Sequence, residues 1–409
     1  MTARLRFGAL LAALVLAAGC SSTTTAPVSD AADPADKAAG HGDHSRGDSG
    51  GDSCGDHGGG RGIHADAEPA RSTPLRAGER FSQLVMPAAY TPSAPLGTGT
   101  DDYRCFLLDP ELAEDAFITG IDVVPGTEDV VHHVILFRVP PSSLASVQAN
   151  DDAEDGQGWT CFGGSGVDNG AQLDDAPWLG AWAPGSGESV MAPDVGVPVE
   201  AGSQVVMQVH YNLLADPEPD VTTTRLRLAA GAKDLDALQT MLLPAPVELP
   251  CRPGHASGRL CERTNAVADV VERVGSSGNT ANFLHLLCGR QPPGRVQSCD
   301  RTVQASATIR AAAGHMHLLG RSIRVEVNPG TPHARTVLDI PVWDFDDQGA
   351  DPVEPLRLKP GDTVRVTCEH DQGLRDLLPA FEGQQERWVV WGEGTTDEMC
   401  LGLLMVTRP

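Results

Sequence analysis

Short apolar and β-branched runs, separated by Gly, Pro and Asp, dominate the chain from Glu79 onward. Typical examples are AFITGIDVV, VVHHVILFRV, SQVVMQVHYNLL, RSIRVEV and CLGLLMV. Runs of this length bounded by turn residues predict β-strands, and many in succession indicate sandwiches rather than a parallel α/β sheet. We therefore predict an all-β fold made of two consecutive antiparallel, jelly-roll-like β-sandwich domains.

The sequence suggests a domain boundary within this part of the chain. Residues 229–250 carry a short helix-compatible piece followed by prolines, and strand-like runs lie on both sides. We predict one domain at 79–230 and a second at 231–409. Residues 21–78 are rich in Gly, Asp and Ser and have little to bury, which predicts a disordered tether. A weak metal-binding role stays open for its histidines, which are His41, His44, His57 and His64.

The first 20 residues have the pattern of a targeting segment. Arg4 and Arg6 precede an apolar run that is too short to span a bilayer comfortably. The following LAAGCSS resembles a bacterial lipobox, which implies lipidation at Cys20, with ordinary secretion as the alternative. In either case we expect an extracytoplasmic protein, and in the first case one that is lipid-anchored to the outer membrane or cell envelope.

Charge and cysteine content bear on the binding partners and on disulfide bonding. The formal net charge is -25, which argues against nucleic acid or anionic lipid as a partner and leaves the lipid anchor as the expected membrane contact. Besides Cys20 and Cys54, eight cysteines remain, and an even number in an exported module predicts up to four disulfides. A zinc site is the alternative, but close CxxC pairs are absent. The eight are Cys105, Cys161, Cys251, Cys261, Cys288, Cys299, Cys368 and Cys400.

Five histidines interrupt apolar strand-like runs: His132 and His133 side by side, His210, and His315 and His317 in an HxH pair. Residues i and i+2 of a strand share a face, which suits two ligands of one metal. Adjacent residues point to opposite faces, so joint ligation by the first pair needs a bulge, a local twist or different ring nitrogens. Five such residues together favour metal binding over satisfied core positions.

Histidines alone do not identify the metal, because imidazole suits Zn, Cu, Fe and Ni. A zinc hydrolase usually adds a carboxylate in a pattern such as HExxH, which neither cluster has. A thioether selects Cu(I), and Met399, at the start of another strand-like run, is available. Met316 lies between two histidines and is expected to point to the opposite face. On composition alone, Met399 is more often a core residue than a ligand.

Five motifs then resemble one family in order and context: DDYRCFLL, VVHHVILF, MQVHYN, HMHLLGRSI and GTTDEMC. They are similar to the copper type II, ascorbate-dependent monooxygenases, which include peptidylglycine α-hydroxylating monooxygenase and dopamine β-monooxygenase. The resemblance covers nearly all of residues 79–409. It implies two β-sandwich domains, each holding one copper, that face each other across a solvent-filled cleft.

The resemblance also implies residue roles. The electron-donating copper would be held by His132, His133 and His210. The second copper, where dioxygen and the substrate C–H bond meet, would be held by His315, His317 and Met399. Gln208 would lie beside the first copper, and Cys400 would pair with Cys368. The candidate catalytic residues are therefore His315, His317, Met399 and Gln208, with two coppers per chain and ascorbate or another one-electron reductant as co-substrate.

Departures from the family bear on the substrate. Peptide-amidating members grip a peptide carboxylate with Arg, Asn and Tyr at positions that are Ala313, Leu401 and Leu403 here. We therefore expect no peptide amidation and a small neutral or aromatic substrate. The pairing of the six other cysteines stays open, and the extra segment 251–299 is a candidate lining of the cleft.

Three functions follow as hypotheses. The first is an exported copper monooxygenase that hydroxylates a C–H bond of a small organic substrate with O2 and external electrons. The second is an extracytoplasmic copper-binding or buffering lipoprotein without oxygenase activity, favoured only by the His-rich tether. The third is a structural surface module, which leaves the six ligand-type residues unexplained. All six being present favours the first.

Overall fold

The computed structural model describes residues 73–95, 99–162, 164–165, 173–214, 216–275 and 279–409. The predicted signal segment, the lipidation candidate Cys20, Cys54, the tether histidines and the tether up to residue 72 lie outside these residues. Among the helices in the described ranges, none has the length and apolar character that crossing a bilayer requires.

Strands form most of the regular structure in the described residues. The helices are α1 (Leu144–Asp152), α2 (Arg263–Val274) and α3 (Thr280–Cys288). The strands are β1 (Glu79–Val85), β2 (Asp101–Leu108), β3 (Ala116–Val124), β4 (Val131–Val139), β5 (Trp159–Thr160), β6 (Trp178–Trp182), β7 (Ser189–Val190), β8 (Val195–Val199), β9 (Gln204–Asn212), β10 (Thr223–Ala230), β11 (Asp236–Pro244), β12 (Glu248–Leu249), β13 (Val296–Thr302), β14 (Ala307–His315), β15 (Gly320–Val327), β16 (Arg335–Ile340), β17 (Ala350–Leu358), β18 (Thr363–His370), β19 (Val389–Val390) and β20 (Leu401–Thr407).

One nine-stranded sheet runs through both halves of this part of the chain. Its order is β1-β10-β3-β8-β11-β20-β14-β17, with β7 added on β3. The two halves join where β8 and β11 pair in parallel through Val195 with Asp236 and Gly196 with Ala237. The other pairings of this sheet are antiparallel.

Two further sheets cover the two halves. The five-stranded sheet β5-β2-β9-β4-β6 closes a first core, in which Phe106, Leu136 and Met207 meet Ile118 and Leu226 of the large sheet. The four-stranded sheet β13-β18-β15-β16 closes a second core with the other half of the large sheet. Strand β18 buries alternate residues, as sandwich packing requires, whereas β2 and β9 are buried on both faces. The fold is therefore all-β, as predicted, with one sandwich in each half.

The helix-compatible piece within residues 229–250 is not helical. Its central part forms β11, because Leu238 to Pro244 pair in register with Thr407 to Leu401 of β20 and the sheet satisfies their backbone groups. Besides α1, the α-helices of the described residues lie in the extra segment, where α2 and α3 bury Val267, Val270 and Leu284. The sequence analysis did not predict these two helices.

The eight cysteines in the described residues form four disulfides. Cys368 pairs with Cys400, as the resemblance implies. Two more bridges flank the helical segment, and one joins β2 to the residue after β5. These three are Cys251–Cys261, Cys288–Cys299 and Cys105–Cys161. The zinc-site alternative for these cysteines is therefore wrong.

Candidate metal centre

A β-bulge brings the first histidine group together. In the antiparallel pair of β4 and β9, Val131 lies opposite Tyr211 and His133 lies opposite His210, so His132 is the extra residue of a bulge. A bulge rotates the extra residue out of strict alternation. Of the routes left open by the sequence, the bulge is therefore the one that lets adjacent histidines serve one site.

The ring nitrogens of this group converge. The Nδ1 atom of His133 lies 3.2 Å from Nδ1 of His132 and 3.3 Å from Nδ1 of His210. All three side chains are buried, and one ligand atom from each lies within 4.8 Å of the others. Burial, followed by the neighbouring imidazoles, holds the pKa of His132 and His133 well below the usual value. Both rings are therefore neutral at pH 7, the form that binds a metal.

His210 is oriented through its second nitrogen. Its Nε2 lies 2.8 Å from Oδ1 of Asp101, so Nε2 carries the proton and the Nδ1 lone pair faces His133. Burial raises the pKa of Asp101, but hydrogen bonds from His210 and Thr395 outweigh this, and the net pKa is lowered. The Tyr103 ring stacks on His210, with centroids 4.0 Å apart. A carboxylate behind a ligand histidine is a common outer-shell arrangement in metal sites.

The second histidine group lies at the end of β14. His315 is the last residue of that strand and His317 lies in the turn that follows, with ring centroids 5.2 Å apart. The Nδ1 of His315 hydrogen-bonds Oε1 of Gln348 at 2.6 Å, which leaves its Nε2 for a ligand. His317 is buried, and within the described part of the chain both of its ring nitrogens lack a hydrogen-bond partner. Burial lowers the pKa of both rings, that of His315 to about 3.

Met399 lies beside this group. It is buried two residues before β20, which begins at Leu401 rather than at Met399. Leu401 is the register partner of His315. The carboxylate of Glu398 accepts hydrogen bonds from the backbone N–H groups of His317 at 3.0 Å, Leu319 at 2.5 Å and Met399 at 3.2 Å. This buried carboxylate therefore fixes the methionine segment to the HxH turn.

Met316 lies on the other side of the HxH turn, as expected. It is fully buried in the core of the second sandwich, whereas Met399 belongs to a separate apolar cluster with α2 and α3. Two methionines near the same histidines therefore have different environments.

The two histidine groups are in contact. The ring centroids of His133 and His315 are 5.6 Å apart, and the Phe345 ring stacks on His132 with centroids 4.0 Å apart. The structure differs here from the solvent-filled cleft that the resemblance implies. The physical reason lies in two connections of the second sandwich, at residues 344–348 and 392–399, which reach the first group through Phe345 and Thr395.

Gln208 is buried in β9, two residues before His210 and thus on the same face of the strand. Its Nε2 donates hydrogen bonds to the carbonyl oxygens of Cys161 at 2.9 Å and Gly164 at 3.1 Å. The hydrogen bonds described for this amide therefore hold the loop after β5. Its suggested role beside a copper stays a prediction.

Several residues around the two groups were missed from the sequence. Asp101 lies within DDYRC and Thr395 and Glu398 within GTTDEMC, so they belong to motifs that were singled out without a role being given to them. Phe345 and Gln348 lie in WDFDDQG, which has no recognisable pattern. Only the packing of the two sandwiches brings the last two to the histidines.

The donor sets fit copper. The first group offers three imidazoles, and the second offers two imidazoles, with the backbone of Met399 joined to that of His317 through Glu398. Among the described residues, the buried nitrogens of His317 and the Nε2 of His132 have no hydrogen-bond partner, which is costly unless a ligand satisfies them. Nitrogen and thioether ligands without a carboxylate in the first group suit copper better than Mg, Ca or Mn.

Comparison with known proteins points the same way. Residues 89–216 match the family model for the N-terminal domain of copper type II ascorbate-dependent monooxygenases, and this stretch contains Asp101, His132, His133, Gln208 and His210. No curated protein matches the chain.

Solved structures offer only distant likenesses. The VP2 subviral particle of infectious bursal disease virus is 9% identical, with 81% of this chain and 71% of that chain covered and a TM-score of 0.19. Procruciferin, the 11S globulin of Brassica napus, is 11% identical, with 80% and 86% covered and a TM-score of 0.16. TM-scores this low carry no structural inference. The family match is more specific: residues 89–216 are similar to the N-terminal domain of the copper type II, ascorbate-dependent monooxygenases.

Proposed function

We propose that the protein is a monooxygenase that hydroxylates a C–H bond of a small organic substrate at a pair of copper sites. The observation that carries the proposal is the convergence of three Nδ1 atoms, from His132, His133 and His210, inside the stretch that matches the family. The overall reaction consumes O2, the substrate R–H, two electrons and two protons, and it yields R–OH and water. An ascorbate-like one-electron reductant supplies the electrons.

The first group would hold one copper through His132, His133 and His210. The second would hold another through His315, His317 and Met399. Three imidazoles suit both copper oxidation states, whereas a thioether favours Cu(I). Bound copper supplies the redox chemistry with dioxygen. The chain supplies neutral imidazoles from His132, His133, His315 and His317, because burial lowers the pKa of these four rings.

The protein also orients the ligands and excludes water. Asp101 keeps the proton of His210 on Nε2, and Gln348 holds Nδ1 of His315. Glu398 fixes the backbone on both sides of the second group. The contact between the rings of His133 and His315 gives the two groups a direct connection through protein atoms.

The surroundings of Met399 favour an apolar substrate. Leu401 and Leu403 form an apolar cluster with it, Ala313 packs against the cluster, and α2 and α3 complete it with Val270 and Leu284. The helical segment between residues 251 and 299 therefore contributes to the apolar cluster around Met399.

The charged side chains of Arg273 and Asp397, near this apolar cluster, are paired with each other. Arg273 of α2 makes two hydrogen bonds to Asp397, at 2.9 and 2.7 Å, and one to Asp269. A peptide carboxylate would find no free cation at Ala313, Leu401 or Leu403. We expect a small neutral or aromatic substrate, and no amidation of glycine-extended peptides.

Export and anchoring are part of the same proposal. Four disulfides suit an oxidising compartment outside the cytoplasm. We propose lipid attachment at Cys20, a tether over residues 21–78, and two domains at 79–230 and 231–409. Radiolabelled fatty acid should enter the wild-type protein but not a Cys20→Ala variant. Labelling of both would place the anchor elsewhere.

Isotopic oxygen tests the reaction itself. The copper-loaded protein is given ascorbate, 18O2 and a panel of small apolar and aromatic compounds, and the products are read by mass spectrometry. The proposal expects one 18O atom in a hydroxylated product. Glycine-extended peptides are included, and their efficient conversion would contradict the substrate class. Hydroxylation of no compound, with copper bound and ascorbate unspent, would favour a copper-buffering protein.

A further inference from the structure

The loop before Met399 reaches the first histidine group from the second sandwich. The backbone N–H of Thr395 donates to Oδ1 of Asp101 at 3.0 Å, and the Thr395 hydroxyl donates to the same oxygen. That oxygen also accepts from Nε2 of His210 at 2.8 Å. Thr395 and His210 are fully buried, and Asp101 nearly so. One carboxylate oxygen therefore joins a ligand of the first group to the loop of the second.

A second contact of the same loop reaches the other side of His210. The hydroxyl of Tyr103 donates to the backbone carbonyl of Glu393 at 2.9 Å. The Tyr103 ring lies nearly parallel to the His210 ring, with centroids 4.0 Å apart and planes 12° apart. Residues 393–395 therefore contact both groups that orient this imidazole.

The far end of the loop is fixed to the second histidine group. Glu398 accepts the backbone N–H groups of His317 and Met399, and Asp397 is bound by Arg273 of α2. The loop is thus held at both ends by buried hydrogen bonds. A change in its position moves Met399 and the partner of Asp101 together.

We propose that Thr395 is a positioning residue for the first copper, acting through Asp101 to set the orientation of His210. It belongs to the opposite sandwich, so the first copper site is complete only when the loop is docked. This inference rests on the proposed copper binding by the first group and not on the hydroxylation reaction. Outer-shell partners of ligand histidines commonly change metal affinity about 10–100-fold when they are removed.

The test isolates the first site. A His315→Ala/His317→Ala background removes the second group, and Cu(II) affinity and the electron paramagnetic resonance spectrum then report on the histidines of β4 and β9. In this background Thr395→Val, which loses only the hydroxyl, should weaken copper binding by about tenfold and shift the parallel hyperfine splitting. Thr395→Ser keeps the hydroxyl and should match the background protein.

A matched control removes another buried hydroxyl. Thr224 is fully buried in β10, and its hydroxyl contacts the sulfur of Met207 rather than the histidine group. Thr224→Val should leave affinity and spectrum unchanged. If Thr395→Val does not fold, as judged by circular dichroism, Thr395→Ala is measured in its place.

Two results would overturn the inference. One is an unchanged affinity and spectrum in the hydroxyl-free Thr395 variant. The other is that Asp101→Asn changes the copper affinity and spectrum while the hydroxyl-free Thr395 variant changes neither. Asp101 would then act within its own sandwich. A protein that shows the expected spectral shift but never hydroxylates a substrate would contradict the proposed function and leave this inference standing.

Discussion

The ring of Phe345 stacks on the ring of His132, with centroids 4.0 Å and planes 16° apart. Phe345 belongs to the connection between β16 and β17, which also supplies Gln348 to His315. One short connection of the second sandwich therefore contacts a histidine of each group. Together with the loop around Thr395, it accounts for the contact between the two groups.

Replacing Phe345 with Ala removes this stack. Aromatic pairs contribute about 0.5–1.5 kcal/mol beyond burial, so we expect the free energy of unfolding to fall by about 1–2 kcal/mol. Phe345→Leu keeps apolar contact without the stacked ring. Its free energy of unfolding should lie between those of wild type and Phe345→Ala. Urea unfolding of the copper-free protein measures both. A Phe345→Ala protein as stable as wild type would show that the stack contributes nothing in solution.

Glu398→Gln tests how the second group is held. The amide has one acceptor oxygen and turns an NH2 group toward backbone N–H donors, so at least one of these donors stays unsatisfied. We expect a loss of about 1–3 kcal/mol in stability and the release of the copper held by the second group. Metal analysis after desalting gives the copper content.

Glu248→Gln is the matched control for that variant. Glu248 is another buried carboxylate, which accepts from Arg263, His285 and Trp388 near the helical segment. Its replacement should also destabilise the protein but leave the copper content unchanged. Equal copper loss in both variants would mean that Glu398 has no special link to the second group.

The Cys368–Cys400 bridge lies next to Met399. Its loop of 32 residues predicts a loss of roughly 4 kcal/mol when both cysteines become alanine, against roughly 3 kcal/mol for the 10-residue loop of Cys251–Cys261. We expect copper loss from the second group only in the first double variant. Copper content and urea unfolding of both variants decide this. Full copper retention without Cys368–Cys400 would show that the bridge does not hold the methionine segment.

Glu393 predicts a pH dependence of stability. Burial, and then repulsion from Asp397, raises the pKa of this carboxyl to about 7. The unfolded chain loses the proton near pH 4.5, but the folded protein keeps it until about pH 7. Stability from this group is therefore complete below pH 4.5 and is lost as the pH rises through 7, by on the order of 3 kcal/mol.

Glu393→Gln cannot ionise and should lack this loss. The variant is therefore expected to gain stability over wild type between pH 4.5 and pH 8, as measured by urea unfolding at both values. A difference between the two proteins that is the same at both pH values would mean that Glu393 titrates normally in the folded state.

The strands and the histidine groups were predictable because their signals are local. Alternation and turn residues mark β4, β9 and β14, and the HxH spacing keeps His315 and His317 close in the chain, although β14 ends at His315. The sequence did not predict whether His132 forms a bulge, because the register of β4 is set by its pairing with β9 and not by β4 alone.

The remaining features depend on long-range packing. Phe345 reaches His132 across more than 200 residues of chain, and Thr395 reaches Asp101 across 294. Neither carries a sequence pattern that names its partner. The helices α2 and α3 were missed because residues 251–299 were interpreted only as an extra segment that could line the cleft. The piece that forms β11 was taken as helix-compatible because its pairing with β20 is non-local.

Ascorbate-dependent oxygen uptake tests the central claim most directly. Copper-loaded wild type, Met399→Ile and the control Met241→Ile, a buried methionine of the second core, are compared together with their copper content. We predict uptake and both coppers in wild type and the control, and about one copper without uptake in Met399→Ile, because the imidazoles of the first group remain. A Met399→Ile protein that keeps both copper and uptake would contradict the account.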